Sequence, residues 1–162
     1  NVQKGRKVDD DINCLVKYNN GARGVLHASQ VSVGEENNLA IWIYGEKGGV
    51  EWHQEHPNYL YVKMMGKPEQ VWKRGNDYVG AYSAAAGRTT RLPSGHPEAF
   101  IEAMANTYLN FSDAVRASIL RKKPEPLALD FPKVEDGLRG MLFLQTLLAS
   151  AKSNQKWTAF KK

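Results

Sequence analysis

The chain has 162 residues, of which 42% are hydrophobic and 24% charged, with a formal net charge of +5. These values are typical of one folded domain and exclude a disordered chain. The basic residues are scattered rather than gathered in a stripe, so we expect no nucleic-acid partner. No apolar run approaches the roughly 20 residues of a membrane span, so we expect no membrane partner either. The single cysteine, Cys14, cannot form an internal disulfide, which favours a reducing, cytoplasmic location.

The first half of the chain predicts strands. Residues 11–18 alternate between apolar and polar side chains, and Asn19-Asn20-Gly21 favours a hairpin turn after them. Short turns separate the further strands that we expect at about 23–33, 39–44, 50–54, 59–65 and 70–73. Six strands joined in this way predict an antiparallel meander. The 39–44 strand is apolar on both faces, so we expect helices to cover one face and a second domain or subunit the other.

The second half predicts helices after a long loop. Residues 75–95 are rich in Gly, Ala, Ser and Thr and show no period, which is typical of a functional or mobile loop. His96-Pro97-Glu98 predicts the start of a first helix, which Pro124 and Pro126 end. Apolar side chains recur in it at helical spacing, and we expect the following to lie in the core: Phe100, Met104, Tyr108 and Phe111.

Asp130 is expected to cap a second helix, and Ser153-Asn154 to end it. Residues 157–160 are then either a short final strand or a packed tail. Strands followed by helices predict an α+β fold: an open, mainly antiparallel sheet of about six strands with two main helices on one face. We expect it to form a single domain over residues 1–162. The chain begins at Asn1 without a methionine, so we expect further sequence before it.

The sequence lacks familiar catalytic signatures. The glycines at 45–49 lie between two strands and do not have the spacing of a dinucleotide-binding turn. His53 and His56 lie three residues apart, but no further ligand completes a zinc site. There is also no nucleophile elbow. We therefore expect no catalytic, cofactor-binding or metal-binding residue in these 162 residues.

Several segments together resemble one known family. In chain order they are DDD at 9–11, NGARG at 20–24, NNL at 37–39, IYGEKG at 43–48, VEW at 50–52, PSGHPEAF at 93–100, DFP at 130–132 and EDGLR at 135–139. Their order and spacing resemble the C-terminal domain of the glucose–fructose oxidoreductase / inositol dehydrogenase (Gfo/Idh/MocA) family.

The resemblance implies a two-domain, NAD- or NADP-dependent oxidoreductase acting on a sugar, a polyol or a derivative. In such a protein, an N-terminal Rossmann domain binds the cofactor, and the C-terminal domain closes the substrate pocket and builds dimers or tetramers through its sheet. The family's Glu-Lys-Pro lysine is not matched here, because Gly66 precedes Lys67-Pro68, and no Asp-x-x-x-His motif occurs. We therefore expect this chain to be inactive alone. The alternative is a stand-alone assembly or binding domain with no enzymatic parent.

Four residues are candidates for substrate contact. His96 follows the long loop at a helix start, where it reaches a substrate hydroxyl or simply caps the helix. Asn37 and Asn38 hydrogen-bond a polyol or merely form a turn. Gln30 lines the pocket from a strand or lies on a solvated face.

Two arginines and a tryptophan each have both a functional and a structural interpretation. Arg88 and Arg91 either approach an anionic group on a substrate or are solvated loop charges, which we favour. Trp52 is favoured as a core or interface residue over a sugar-stacking platform.

Overall fold

The computed structural model describes residues 2–160 and confirms the α+β class; Asn1, Lys161 and Lys162 lie outside the described residues. The six strands are antiparallel and form a two-stranded and a four-stranded sheet. The chain divides into two compact units. The first consists of Asn1–Glu36 with Pro132–Lys162, and the second of Asn37–Phe131.

The first unit opens with a hairpin of β1 (Asp11–Lys17) and β2 (Arg23–Ser29). The alternation predicted for β1 is confirmed, because Ile12, Cys14 and Val16 are half-buried while the residues between them are exposed. Gly21 adopts a φ of +90° in the turn, and the side-chain oxygen of Asn20 accepts a hydrogen bond from the Ala22 N–H at 3.1 Å. Glycine tolerates this left-handed backbone, so the predicted Asn-Asn-Gly turn is also confirmed.

The long helix of the first unit, here α4, covers Val134–Ala151. Its start differs from the prediction, since the N–H of Lys133 donates to the Asp136 carboxylate at 3.0 Å and Asp130 is not the cap. Asp130 instead closes a short 3₁₀ turn, Pro126–Leu129, that the sequence pattern did not reveal. A proline at 132 also disfavours helical backbone at the residue before it, which delays the helix.

The C-terminal residues of the first unit form a packed tail rather than a strand. The Lys17 ammonium lies 4.0 Å from the centre of the Trp157 ring, and the Phe143 and Phe160 rings meet edge to face at 6.1 Å. These contacts settle the two alternatives for residues 157–160 in favour of the tail.

The second unit is built on the four-stranded sheet, in the order β3-β4-β5-β6. Its strands are β3 (Ala40–Gly45), β4 (Gly48–His53), β5 (Tyr59–Met64) and β6 (Gln70–Lys73). Each strand pairs with the next one in sequence, so the predicted antiparallel meander is confirmed for these four strands. The single sheet of about six strands is not formed, because no pairing among the described residues joins β2 to β3, and β1 and β2 make a separate two-stranded sheet.

The register gives this sheet two different faces. On the helix-side face, Ile41 pairs with Trp52 and Leu60 with Trp72. The Trp72 ring packs against Tyr78 and Tyr82 of the following helix, with ring centres 5.8 and 5.2 Å apart. The opposite face, which we call the open face, carries Trp42, Tyr44, Glu51, His53, Tyr61 and Lys63.

The prediction of a structureless loop over residues 75–95 is wrong, because two short helices lie there. They are α1 (Asp77–Tyr82) and α2 (Ala84–Thr89), and the Ser83 hydroxyl accepts from the Ala86 N–H at 3.3 Å to start α2. A Cβ added to Gly87 would lie 3.5 Å from the Cα of Gly80, so the helices meet at their glycines. Six-residue helices are too short to display an apolar period, and the sequence pattern therefore misses them.

The third helix, α3, covers Phe100–Ile119 and begins later than predicted. The N–H of Ala99 donates to the Glu102 carboxylate at 2.8 Å, and Glu98 bonds elsewhere. The apolar stripe predicted along α3 is exposed rather than buried within this unit; it comprises Phe100 (73% exposed), Met104, Tyr108 and Phe111. Asn110 is the buried residue of α3.

Among residues 2–160, no helix is both long and apolar enough to cross a membrane.

Candidate functional site

Three polar side chains join the sheet of the second unit to the start of α3. The Arg74 Nε donates to Oδ1 of Asn58 at 2.9 Å, and Nη1 of Arg74 lies 2.9 Å from Oε1 of Glu98. Asn58 completes the triangle, since its Nδ2 donates to the Glu98 carbonyl at 2.8 Å and its Oδ1 accepts from the Glu98 N–H at 2.9 Å. We call Asn58, Arg74 and Glu98 the polar lock.

The polar lock binds the backbone of the segment 91–98. The Glu98 carboxylate accepts from the N–H groups of Arg91, at 2.7 Å, and Leu92. The Arg74 guanidinium donates to the carbonyls of Leu92 at 3.0 Å, Pro93 at 3.3 Å and His96. The Arg74 and Glu98 side chains are only 17% and 7% exposed. Buried polar groups cost free energy unless they are paired, and these hydrogen bonds supply the partners.

His96 lies on this segment with its side chain exposed. Its carbonyl accepts from Arg74, and its N–H donates to the Pro93 carbonyl at 3.2 Å. Gly75 supports the segment from beneath, since a Cβ there would lie 3.0 Å from the Ser94 nitrogen. The backbone of His96 is therefore fixed, while its imidazole is free to meet a ligand.

The other three candidates lie at separate places. Asn37 and Asn38 are exposed before β3, and the Asn37 carbonyl accepts from Nε2 of Gln54 at 2.7 Å. Gln30 is exposed at the end of β2 in the first unit, where its N–H donates to the Asp10 carbonyl at 2.8 Å. All four candidates remain predictions as substrate contacts, with His96, Asn37 and Asn38 in the second unit.

A cavity of about 320 Å³ lies beside the polar lock in the second unit. Trp52 and Arg74 line it from the sheet side, and Asn106 and Asn110 line it from α3. Asn106 donates to the Thr89 carbonyl at 2.8 Å, and Asn110 to the Asp130 carbonyl at 3.1 Å. Trp52 is half-buried here, with its indole N–H bonded to the Pro57 carbonyl at 3.1 Å, as expected of a core residue.

Arg88 is not a solvated loop charge, because it is half-buried on α2, whereas Arg91 is an exposed loop residue with one side-chain hydrogen bond. Arg88 donates to Asn110 at 3.0 Å and to the Asp113 carboxylate at 2.9 Å, and its Nη1 lies 3.3 Å from the Glu125 carboxylate. Arg91 donates to Oδ1 of Asn106 at 2.7 Å. Arg88 therefore binds α2 to α3, and Arg91 binds the segment 91–98 to α3.

The open face carries a charged cluster. Glu51 accepts a hydrogen bond from His53 at 2.7 Å and a second one from Lys63. The hydrogen bond from His53, followed by that from Lys63, lowers the pKa of the Glu51 carboxyl from its ordinary 4.5 to about 2. The bond to Glu51 in turn raises the pKa of Lys63. The Trp42 ring stands edge-on to His53 at 5.5 Å.

The described residues do not fit the pyrophosphate of a dinucleotide cofactor. Gly45 and Gly48 pair with each other across the tight turn between β3 and β4, so no helix follows that turn. Gly75 lies between β6 and α1, but it is a lone glycine, and Asp77 places a negative charge in the first helical turn. Among residues 2–160, no three His, Cys, Asp or Glu side chains are grouped as metal ligands.

The polar lock was not predicted from the sequence. The sequence pattern predicts only that Glu98 stands at a helix start and that position 58 lies in a turn between two strands. Asn58 and Glu98 are 40 residues apart, and no local pattern reveals a pairing over that distance. One feature of the sequence could have indicated it. Asn58 precedes β5 and Arg74 follows β6, and polar residues at such strand ends often hydrogen-bond to the next segment.

Comparison with known proteins gives the family. Residues 1–159 match the family described as "Oxidoreductase family, C-terminal alpha/beta domain", GFO_IDH_MocA_C. The chain belongs to this family. As a Gfo/Idh/MocA C-terminal domain, it is also 30% identical over 154 residues to the uncharacterized oxidoreductase YfiI of Bacillus subtilis (strain 168), and the match covers 95% of this chain and 38% of that protein.

Solved structures show the same fold in other family members. An oxidoreductase from Sinorhizobium meliloti matches with a TM-score of 0.85 and 36% identity, over all of this chain and 44% of that one. An inositol dehydrogenase homolog from Azotobacter vinelandii complexed with NAD⁺ matches at 0.80 and 28%, over 95% of this chain and 39% of that one. An inositol dehydrogenase homolog from Azotobacter vinelandii complexed with NADH and myo-inositol matches with a TM-score of 0.76 and 30% identity, over 90% of this chain and 38% of that one. This Gfo/Idh/MocA domain thus spans about two-fifths of the length of these relatives.

Proposed function

We propose that this domain is the substrate-side and oligomerisation part of a cytoplasmic NAD(P)-dependent oxidoreductase that acts on a sugar, a polyol or a derivative. An N-terminal Rossmann domain of the same protein supplies the cofactor site and the principal catalytic residues, and this part alone is inactive. The observation that carries the proposal is the family match over residues 1–159. It is supported by the 30% identical structure of a homolog complexed with NADH and myo-inositol.

In this reaction the nicotinamide exchanges a hydride with a substrate carbon that bears a hydroxyl. The residues of this domain bind and orient the substrate. The exposed imidazole of His96 hydrogen-bonds a hydroxyl. The side-chain amides of Asn37 and Asn38, and that of Gln30 in the first unit, each carry a donor and an acceptor that a hydroxyl can use. A ligand held in one orientation reacts faster because less freedom is lost at the transition state.

The open face is proposed as the oligomer interface, with a second copy of the chain as its partner. Trp42 and Tyr44 are 50% and 74% exposed on it, and large aromatic residues are enriched at such interfaces. The face also carries both a carboxylate, Glu51, and an ammonium, Lys63. A two-fold interface has to be self-complementary, and a surface with both charges meets that requirement.

The function is tested with the full-length protein and with this domain alone. The full-length protein should form NADH or NADPH with myo-inositol or another member of a polyol and sugar panel, and the domain alone should not. Calorimetry should detect no saturable NAD binding by the domain. NAD binding by the domain would contradict the proposal. A coding sequence with no strand–glycine-rich turn–helix unit upstream would instead support the stand-alone assembly domain.

A further inference from the structure

We propose that Arg74 is a positioning residue for substrate contact, because it fixes the backbone that carries His96. This inference rests on the proposed function of His96. It adds a residue that touches no substrate itself and acts from below the segment 91–98.

The guanidinium of Arg74 donates to five acceptors, one on Asn58 and four in the segment 91–98. Nε bonds to Asn58, and Nη1 bonds to Glu98 and to the Leu92 carbonyl at 3.0 Å. Nη2 bonds to the carbonyls of Pro93, at 3.3 Å, and His96. Three acceptors are thus backbone carbonyls of the segment, including that of His96 itself. A lysine ammonium keeps the positive charge, but it is a single point charge and cannot hydrogen-bond all of these acceptors at once.

The lock is anchored in the sheet. Asn58 immediately precedes β5, and Arg74 immediately follows β6; the Arg74 N–H also donates to the Asn58 carbonyl at 2.9 Å. The two anchoring residues therefore bind each other through both backbone and side chain at one edge of the sheet. A site residue whose support is rigid loses little freedom when its ligand binds.

Because the backbone of His96 is fixed, only its side-chain torsion angles remain free to rotate. Its carbonyl is held by Arg74, its N–H by Pro93, and the next residue but one, Glu98, is 7% exposed and bonded on both sides. If the lock is loosened, the imidazole samples more positions, and binding of the substrate has to order the segment. We expect the apparent affinity to fall, with a smaller effect on turnover.

The first measurement does not depend on activity. In the full-length protein, hydrogen exchange followed by mass spectrometry should show faster exchange of residues 91–98 in Arg74→Lys than in the unaltered protein. Arg88→Lys is the matched control, since Arg88 also binds three polar side chains of this unit but none in the segment 91–98. It should leave exchange of the segment unchanged. Unchanged exchange in Arg74→Lys would overturn the proposal whatever the enzyme does.

The second measurement is a double-mutant cycle on KM, with NAD⁺ and myo-inositol as probes, or the best substrate of the polyol panel. His96→Ala should raise KM about tenfold, the effect of one lost hydrogen bond, and Arg74→Lys should raise it by a comparable factor with a smaller change in kcat. In the double variant the two effects should not multiply, because Arg74 acts through His96. Arg88→Lys combined with His96→Ala should instead give the product of the single effects.

The outcomes separate the two proposals. Multiplying effects of Arg74→Lys and His96→Ala would overturn the positioning role while leaving the oxidoreductase function intact. No turnover by the unaltered full-length protein with any member of the panel would overturn the proposed function, and the positioning role with it. A KM that is unchanged in His96→Ala would remove the substrate contact on which the positioning depends.

Discussion

Nη1 of Arg74 lies 2.9 Å from Oε1 of Glu98, and this ion pair ties the end of β6 to the residues before α3. The Glu98 oxygen is shared, since it also accepts from the N–H groups of Arg91 and Leu92. One carboxylate therefore satisfies a cation and two backbone donors.

We expect Glu98→Ala to lower the free energy of unfolding by about 3 kcal/mol, because a paired charge and two N–H groups lose their acceptor in a largely buried place. Urea unfolding of the domain, followed by tryptophan fluorescence, measures the change. Glu55→Ala is the control, since Glu55 is exposed and should change stability by less than about 0.5 kcal/mol. Equal effects of the two variants would show that the lock does not stabilise the domain.

Glu51 should contribute to the acid sensitivity of the domain. Its pKa of about 2 lies below the ordinary 4.5, since His53 and Lys63 bond to its charged form. A group whose pKa is lower in the folded state stabilises that state above the unfolded pKa and loses this contribution as pH falls through the folded pKa.

The contribution of Glu51 should therefore decline between about pH 4.5 and pH 2. Urea unfolding across this range should show a shallower loss of stability in Glu51→Gln. Glu46→Gln, at an exposed turn position, serves as the control and should keep the slope of the unaltered domain. A slope that is the same in Glu51→Gln would mean that the cluster on the open face does not persist in solution.

Gly48 should not tolerate a side chain. A Cβ there would lie 2.3 Å from the Lys63 carbonyl oxygen, which belongs to the paired strand β5. We expect Gly48→Ala to destabilise the domain by roughly 2 kcal/mol, since the strands have to move apart. Gly140→Ala lies in α4, where no described atom approaches within 4 Å, and should stabilise it by about 0.5–1 kcal/mol through helix propensity. Thermal unfolding distinguishes the two opposite signs.

Tyr44 tests the proposed oligomer interface. Tyr44 is 74% exposed on the open face, and Tyr44→Asp would place a charge within the proposed two-fold contact. We expect light scattering to show a smaller assembly in this variant. Val33→Asp is the control, because Val33 is fully exposed in the first unit and is not part of the open face, so the assembly should be unchanged. A domain that is already monomeric at tens of micromolar would contradict the interface.

The sequence predicts regular elements well where one side of a strand is buried. The alternation of Ile12, Cys14 and Val16 located β1, because a two-residue period and half-burial have the same cause. The sequence pattern does not predict α1 and α2, because tertiary contacts stabilise these helices and they show no apolar period. The α3 stripe was correctly located along the helix, but burial of Phe100 and Met104 depends on what covers them, and that is not encoded in the helix itself.

The candidate site was predictable only in part. His96 is predicted as a substrate contact because it follows the long loop and stands at an expected helix start, which are local features. The lock that holds it depends on Asn58 and Glu98, which the fold brings together from 40 residues apart. Strand pairing decides such contacts, and a single sequence gives the strands without their distant partners.

The two short helices α1 and α2 have a consequence for local unfolding. Six residues are too few for a helix to persist by itself. Their order therefore depends on tertiary contacts. Tyr78 and Tyr82 of α1 pack on Trp72, and Arg88 and Thr89 of α2 bond to Asn110 and Asn106 of α3. Residues 77–89 should open as one cooperative unit when those bonds break, well before the sheet does. The free energy of opening would then be lower for these two helices than for the sheet. A protease acting on the native protein would therefore cut first between Asp77 and Thr89.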